Sequence, residues 1–184
     1  MEGHLLARQL SDDAREDPGL RLASLFDAHH DRLYRLARRM VSGSDDALDL
    51  VQETFLRAAR APGLVPAGNS SVEEAWLVRV LVNIQRDQWR KSAVRKRLGN
   101  TTEETLQNPE ATIITKATVW HALDRLPPRR RAIVVMYELE GVPIPAIASL
   151  LGIRTITVRW HLSAGRRDLA RTLKPHFGDF HENS

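Results

Sequence analysis

Cysteine is absent from the 184 residues. That removes disulfide frameworks, thiolate zinc sites and cysteine nucleophiles together, and it suits a reducing compartment. Aromatic residues are scarce, and no apolar run approaches the roughly 20 residues a membrane-spanning helix needs. Met1–Leu20 lacks the apolar core of a secretory leader and carries Asp12, Asp13, Glu16 and Asp17 instead. The expectation is a soluble cytoplasmic protein with no membrane contact of its own. The raw material of catalysis is missing too: there is no phosphate-binding glycine loop and no nucleophile elbow. Seven histidines are scattered, and the neighbours His29 and His30 point to different helix faces. His29 reads as a core residue rather than a ligand. No enzymatic activity, cofactor or metal is expected.

What is present is an ordinary globular balance, 42% hydrophobic and 27% charged, with a net charge of +4. The distribution of that charge is more telling. Residues 71–97 hold 7 Lys/Arg against 3 Asp/Glu, and residues 152–174 hold 6 against 1. Residues 1–60 are net acidic, with 9 against 11. Two separate basic segments fit a protein that touches nucleic acid twice, and they also fit two solvated helix faces.

Helical spacing recurs and strand signals are weak, so the fold class is all-α. Leu22, Leu25, Phe26, His29, Leu33, Leu36, Ala37 and Met40 predict a first amphipathic helix over 20–41, broken by Gly43. A second comes next with Ser44 as its N-cap and ends at Pro62-Gly63. Ser71 and Glu74 have capping-box spacing and open a long helix over 72–97. A polar, acidic linker occupies 98–115. Further helices are predicted over 112–126, 128–140, 144–151 and 154–173, punctuated by Pro127-Pro128, Gly141, Gly152 and Pro175. The layout is a tail (1–19), a helical domain (20–97), a flexible tether (98–115), a second helical domain (116–174) and a tail (175–184).

Four segments carry the functional signal. In the second helix Ala47, Leu50, Val51, Thr54, Phe55 and Ala58 share one side, while Asp49, Gln52 and Glu53 share the other with Leu56 among them. That second side is either a solvated face with a stray leucine or a protein-binding face with an apolar anchor. In the long helix Trp76, Leu77, Val80, Leu81 and Ile84 form the apolar arc. Arg79, Arg86, Arg90 and Arg97 form a guanidinium stripe of the kind that tracks phosphates. Trp89 borders the stripe, placed either to stack on an unpaired base or to pack on a neighbouring helix. Asn83 and Asp87 lie at the edge of the apolar arc. A buried Asp87 needs a partner, and Arg32, Arg35, Arg38 and Arg39 of the first helix are the candidates. Residues 141–165 read as a helix-turn-helix. In its last helix Val158, Leu162, Gly165 and Leu169 share one face, with Gly165 permitting close approach of another helix. The opposite face presents Ile156, Thr157, Arg159, Trp160, Ser163, Ala164 and Arg167, a set suited to the major groove.

These residues resemble a known family. Asp46-Ala-Leu-Asp-Leu-Val-Gln-Glu-Thr-Phe55 and Ala75-Trp-Leu-Val-Arg-Val-Leu-Val-Asn-Ile-Gln-Arg-Asp-Gln-Trp-Arg90 are similar to two helices of region two of bacterial sigma factors. Ala122-Leu-Asp-Arg-Leu-Pro-Pro-Arg-Arg-Arg131 and the stretch from Glu140-Gly141 to Thr157-Val158 resemble region four. Nothing resembles the middle domain of housekeeping sigma factors, which points to the extracytoplasmic-function group. The resemblance implies a factor that binds core RNA polymerase and directs it to promoter DNA. Asp49, Gln52, Glu53 and Leu56 would dock on the β′ clamp coiled coil, with the second domain near the β flap. The minus-ten side would be held by Arg79, Asn83, Arg86, Trp89, Arg90 and Arg97, together with Asn69 and Ser70 from the loop 62–70. The minus-thirty-five side would be read by Arg154, Thr155, Thr157, Arg159, Trp160, Ser163 and Arg167. An anti-sigma factor is an implied partner. The chain departs from the family pattern at Pro145, Arg154, Trp160 and Ala164-Gly165, which leaves the upstream sequence open; with Arg154 at the usual capping place, Thr155 is the expected cap. Two alternatives remain: a sigma-like adaptor that sequesters an anti-sigma factor without touching DNA, and a helix-turn-helix regulator independent of polymerase. The sigma reading depends on two coherent basic surfaces, one in each half; arginines scattered to unrelated sides, or the two halves fused into a single compact core, would sink it.

Overall fold

The computed structural model describes residues 17–66, 68–97 and 111–174, the side chains of 95–97 and 111–116 excepted. Every regular element among them is helical. Helix α1, Pro18–Met40, starts where Asp17 Oδ1 accepts a hydrogen bond from the Gly19 amide at 2.7 Å, with Pro18 at the first position, where its missing N–H is no loss. It buries Leu25, His29, Leu33, Leu36, Ala37 and Met40. Helix α2, Ser44–Arg60, buries Ala47, Leu50, Val51, Thr54, Phe55 and Ala58, the same six residues its periodicity put on one side. Ser44 is not its cap: Gly43 takes that place without a side-chain bond, and the serine hydroxyl donates to Asp45. A 3-10 turn over Pro62–Leu64 comes next, and Val65 returns to the core.

Helix α3, Ser70–Arg97, begins earlier than the capping-box spacing suggests. Asn69 Oδ1 accepts from the Val72 amide at 2.9 Å, so Asn69 rather than Ser71 satisfies the orphan donors. Glu74 does not reach back to a cap; it accepts from Arg32 Nε at 3.1 Å. An arginine on the neighbouring helix outcompetes the backbone for that carboxylate because a charged donor makes the stronger bond. The buried set of α3 is also wider than the expected arc. Leu77, Leu81 and Ile84 are buried as expected, but so are Ala75, Val78 and Val82, while Trp76 and Val80 are only partly covered.

The C-terminal half comprises α4 (Ala111–Asp124), α5 (Pro128–Val134), α6 (Ile144–Leu151) and α7 (Thr155–Leu173). The predicted linker therefore ends sooner: residues 98–110 lie outside the described residues, and Ala111 already belongs to a helix. Helix α5 runs into a π turn over Val135–Leu139, where the Glu140 amide reaches back five residues to the Val135 carbonyl at 3.2 Å. Gly152 closes α6 in the left-handed conformation (φ 63°), which a side chain would resist. Gly165 sits where α7 crosses α5: a Cβ there would lie 2.5 Å from Val134 Cγ2, so only glycine allows this approach.

The halves are in contact, which corrects the demand that they stay separate, while the tether over 98–110 lies outside the described residues. Helices α6 and α5 pack on α3, and α5 also meets α1, so the buried apolar side chains join into one cluster running from Leu25 to Leu162. The physical reason is that α3 is apolar around about half its circumference at 100° per residue, giving it two faces to cover instead of one.

Candidate nucleic-acid interface

Helix α7 is seated by its inner face. Val158, Leu162, Ala164 and Gly165 are buried, Ala164 contrary to its expected place on the outer face. Arg154, Thr155, Arg159, Trp160, Ser163 and Arg167 are exposed and Thr157 is partly so, so every member of the expected upstream set reaches solvent. Arg154 occupies the N-cap position without a side-chain cap bond; its carbonyl receives the amides of Thr157 (2.9 Å) and Val158 (3.1 Å). Thr155 is therefore the first helical residue and not the cap. The guanidinium of Arg154 is left to solvent.

Trp160 is 58% exposed and Ile156, one turn before it, is 60% exposed. The indole is not loose. Arg130 of α5 lies over its ring at 5.6 Å, and Arg130 is itself fixed by an ion pair with Asp168. Sequence reasoning noted Arg130 only as part of a motif, since its partner is thirty-eight positions away. Arg166 likewise crosses to Tyr137 (5.4 Å) and Glu138 (2.7 Å), and the hydrogen bond to Glu138 raises its pKa. His161, beside Trp160, is held below its usual value by burial and then by Arg130 and Arg129.

The stripe on α3 is less open. Arg79 is half-buried: its Nε donates to the Ala75 carbonyl at 3.0 Å and its guanidinium lies against Gly152, where a Cβ would come within 2.9 Å of Nη1. Arg86 is one-third exposed, with Nε 3.7 Å from Asp87 Oδ1. Asp87 is thus half-exposed beside its own helix neighbour, and it does not pair with α1. Those arginines are otherwise engaged or exposed, with Arg32 and Arg39 on carboxylates elsewhere. Asn83 is partly buried, Trp89 is 39% exposed and Arg90 is exposed. The side chain of Arg97 lies outside the described residues. Asn69 and Ser70 are exposed at the head of α3, with the Asn69 oxygen committed to its cap. Arg21, which sequence reasoning missed, ties the preceding loop to α1 through the carbonyls of Val65 (2.8 Å) and Pro66 (3.2 Å).

On α2, Asp49, Gln52 and Leu56 are exposed and Glu53 is partly so. Glu53 pairs with Arg57 at 3.3 Å and Arg60 at 3.8 Å. The four line one shallow groove with Ile84, Asp87, Gln88 and Lys91 of α3. Leu56 also borders an apolar groove made with Leu22, Phe26 and Phe55. Its exposure is therefore continuous with other apolar surface. Among the described residues, no group of three or more His, Asp or Glu could hold a metal ion, and no helix is long and apolar enough to cross a membrane.

Known proteins share this arrangement. Sigma-70 region 2 matches residues 25–95 and Sigma-70 region 4 matches residues 116–169. The chain is 36% identical over 157 residues to the ECF RNA polymerase sigma factor SigE of Mycolicibacterium smegmatis, covering 80% of this chain and 60% of that protein. It is 33% identical over 149 residues to the ECF RNA polymerase sigma factor SigM of Mycobacterium tuberculosis, covering 81% of this chain and 75% of that protein. The fold is like that of CnrH in complex with the cytosolic domain of CnrY (TM-score 0.58, 23% identity, 90% of this chain and 94% of that one). It is also like the sigma factor RpoE solved with the anti-sigma factor NepR from Bartonella quintana (TM-score 0.55, 23% identity, 88% and 97%). Sigma factors are transcription initiation factors, not enzymes. With region 2 on the α1–α3 unit, region 4 on the helix-turn-helix, and an ECF relative covered over three quarters of its length, this chain belongs to the ECF sigma factors.

Proposed function

We propose that the chain binds core RNA polymerase through the α2 groove, holds the minus-ten element with α3 and the loop before it, and reads the minus-thirty-five element with α7. The observation that carries this reading is the open face of α7, where arginine, threonine and an arginine-stacked tryptophan converge over a tightly seated inner face. The α2 groove adds carboxylates and amides around Leu56, the arrangement of a protein-docking rim around an apolar anchor. The chain itself performs no chemistry, works in the cytoplasm, and is held in check by an anti-sigma factor that covers these same surfaces.

Run-off transcription with core polymerase on fragmented genomic DNA tests the proposal. Defined transcripts that require the chain are expected, with start sites downstream of two shared elements. No promoter-specific transcript on any template overturns it. Asp49→Ala with Glu53→Ala should lower affinity for core enzyme while leaving helicity unchanged, and unaltered affinity would remove the α2 assignment.

A further inference from the structure

Helix α7 carries two large apolar side chains that nothing covers. Ile156 is 60% exposed and Trp160 is 58% exposed. Four residues apart, they fall on the same helix face one turn from each other. Arg159 and Ser163 are exposed beside them. A lone exposed isoleucine or tryptophan is ordinary. This pair differs because the protein commits charged groups to holding the indole at the surface. Arg130 of α5 lies over the Trp160 ring at 5.6 Å and is anchored by Asp168, while the His161 ring stands across it at 4.9 Å and 74°.

Charge and groove chemistry together name the occupant of this surface. Residues 152–174 carry 6 Lys/Arg against 1 Asp/Glu, so a polyanion is drawn to α7. In the major groove the base edges present hydrogen-bond donors and acceptors, and the C5-methyl of thymine is their one apolar feature. Ile156 and Trp160 belong to the first two turns of a helix that starts at Thr155, the part of a recognition helix that meets base edges. Their spacing also sets a distance. Four residues advance a helix by about 6 Å, close to two base steps of about 3.4 Å each.

We propose that Ile156 and Trp160 read thymine methyl groups in the upstream promoter element, at positions within two base steps of each other on either strand. Arg130 is the positioning residue that keeps the indole in place. This rests on the proposed sigma function, and the test separates the two.

Promoter fragments recovered by run-off transcription supply the element. Each of its thymines is then replaced in turn by deoxyuridine, which keeps every hydrogen-bonding group and lacks only the methyl. Binding by the full chain with core polymerase should weaken roughly fourfold at one or two thymines, the effect of burying one methyl-sized group. Ile156→Ala should lose the discrimination at one of these positions, and Trp160→Ala at the other or at the same one. Deoxyuridine tolerated at every position, or an upstream element with no thymine on either strand, overturns the proposal while transcription still supports the sigma function. Wild-type discrimination kept in both variants overturns it too, since another side chain would then be the reader. Loss of core-polymerase affinity in both variants without DNA, with deoxyuridine tolerated, would make the pair a protein contact instead. Absence of any promoter-specific transcript would strike the sigma reading, and the methyl readers with it.

Discussion

Helices α3 and α7 carry similar excesses of positive charge, yet the molecule treats them differently. Arg154 at the N-cap of α7 and Arg159 and Arg167 along it stand in solvent, while the opposite side is locked against α5 through Gly165. On α3 the stripe begins under the turn at Gly152, passes Arg86 with its nearby Asp87, and is fully open only at Arg90 among the described side chains. Charge density along a sequence therefore reports what a helix can bind, whereas the neighbours of each guanidinium decide when it can bind. Two faces of similar composition are unequally available.

The largest test of that contrast concerns the seating of α7. Gly165→Ala places a methyl inside the contact distance of Val134, and overpacking of this kind costs about 1–3 kcal/mol. Urea unfolding should show the loss, and upstream-element binding should weaken with it; unchanged stability would mean α7 is free to shift. Next comes the availability of the arginines. With the free chain on promoter duplex, Arg159→Ala and Arg167→Ala should each reduce the salt dependence of binding by about one phosphate contact, while Arg79→Ala should leave it unchanged. A reduced slope for Arg79→Ala in the free chain would erase the asymmetry. A smaller effect is expected from Arg130→Ala. Losing a partly exposed cation–π contact of about 0.5–1 kcal/mol should loosen Trp160 and flatten base preference by a few-fold in a selection from randomised duplex.

The smallest effect is with acid. The pKa of His161 is lowered by folding from 6.5, so between the folded and unfolded values the unfolded chain binds the extra proton. Its contribution to stability is present above about 6.5 and is lost as pH falls toward the folded value. Melting temperatures across that window should drop slightly more for wild type than for His161→Gln.

Much of this is legible in the sequence. The six inward residues of α2 and the outward set on α7, Ala164 excepted, come from a 3.6-residue period, the turn at Gly152 from the backbone freedom of glycine, and the α5–α7 crossing from the missing side chain of Gly165. The ion pairs beside the joined halves are not legible, because Arg32 and Arg39 meet a glutamate about a hundred positions later. Ion pairs have no periodicity to betray them. For the same reason helical spacing offers Asp87 partners on α1 that the structure gives to Glu74 and Glu140. The expected capping box fails on a similar competition. The arginine that holds Trp160 is hidden because its neighbours in space come from another helix.

The π turn ahead of Glu140 sets a phase. Such a turn is an α-helix with one residue inserted, and each residue of helix rotates the chain beyond it by about 100°. Deleting one residue from Val135–Leu139 would let an ordinary helix run on, but it would swing the next carboxylate away from both arginines of α1. A single codon lost there would retune how the two halves are dialled against each other, and would move the buried Val135 and Met136 with it.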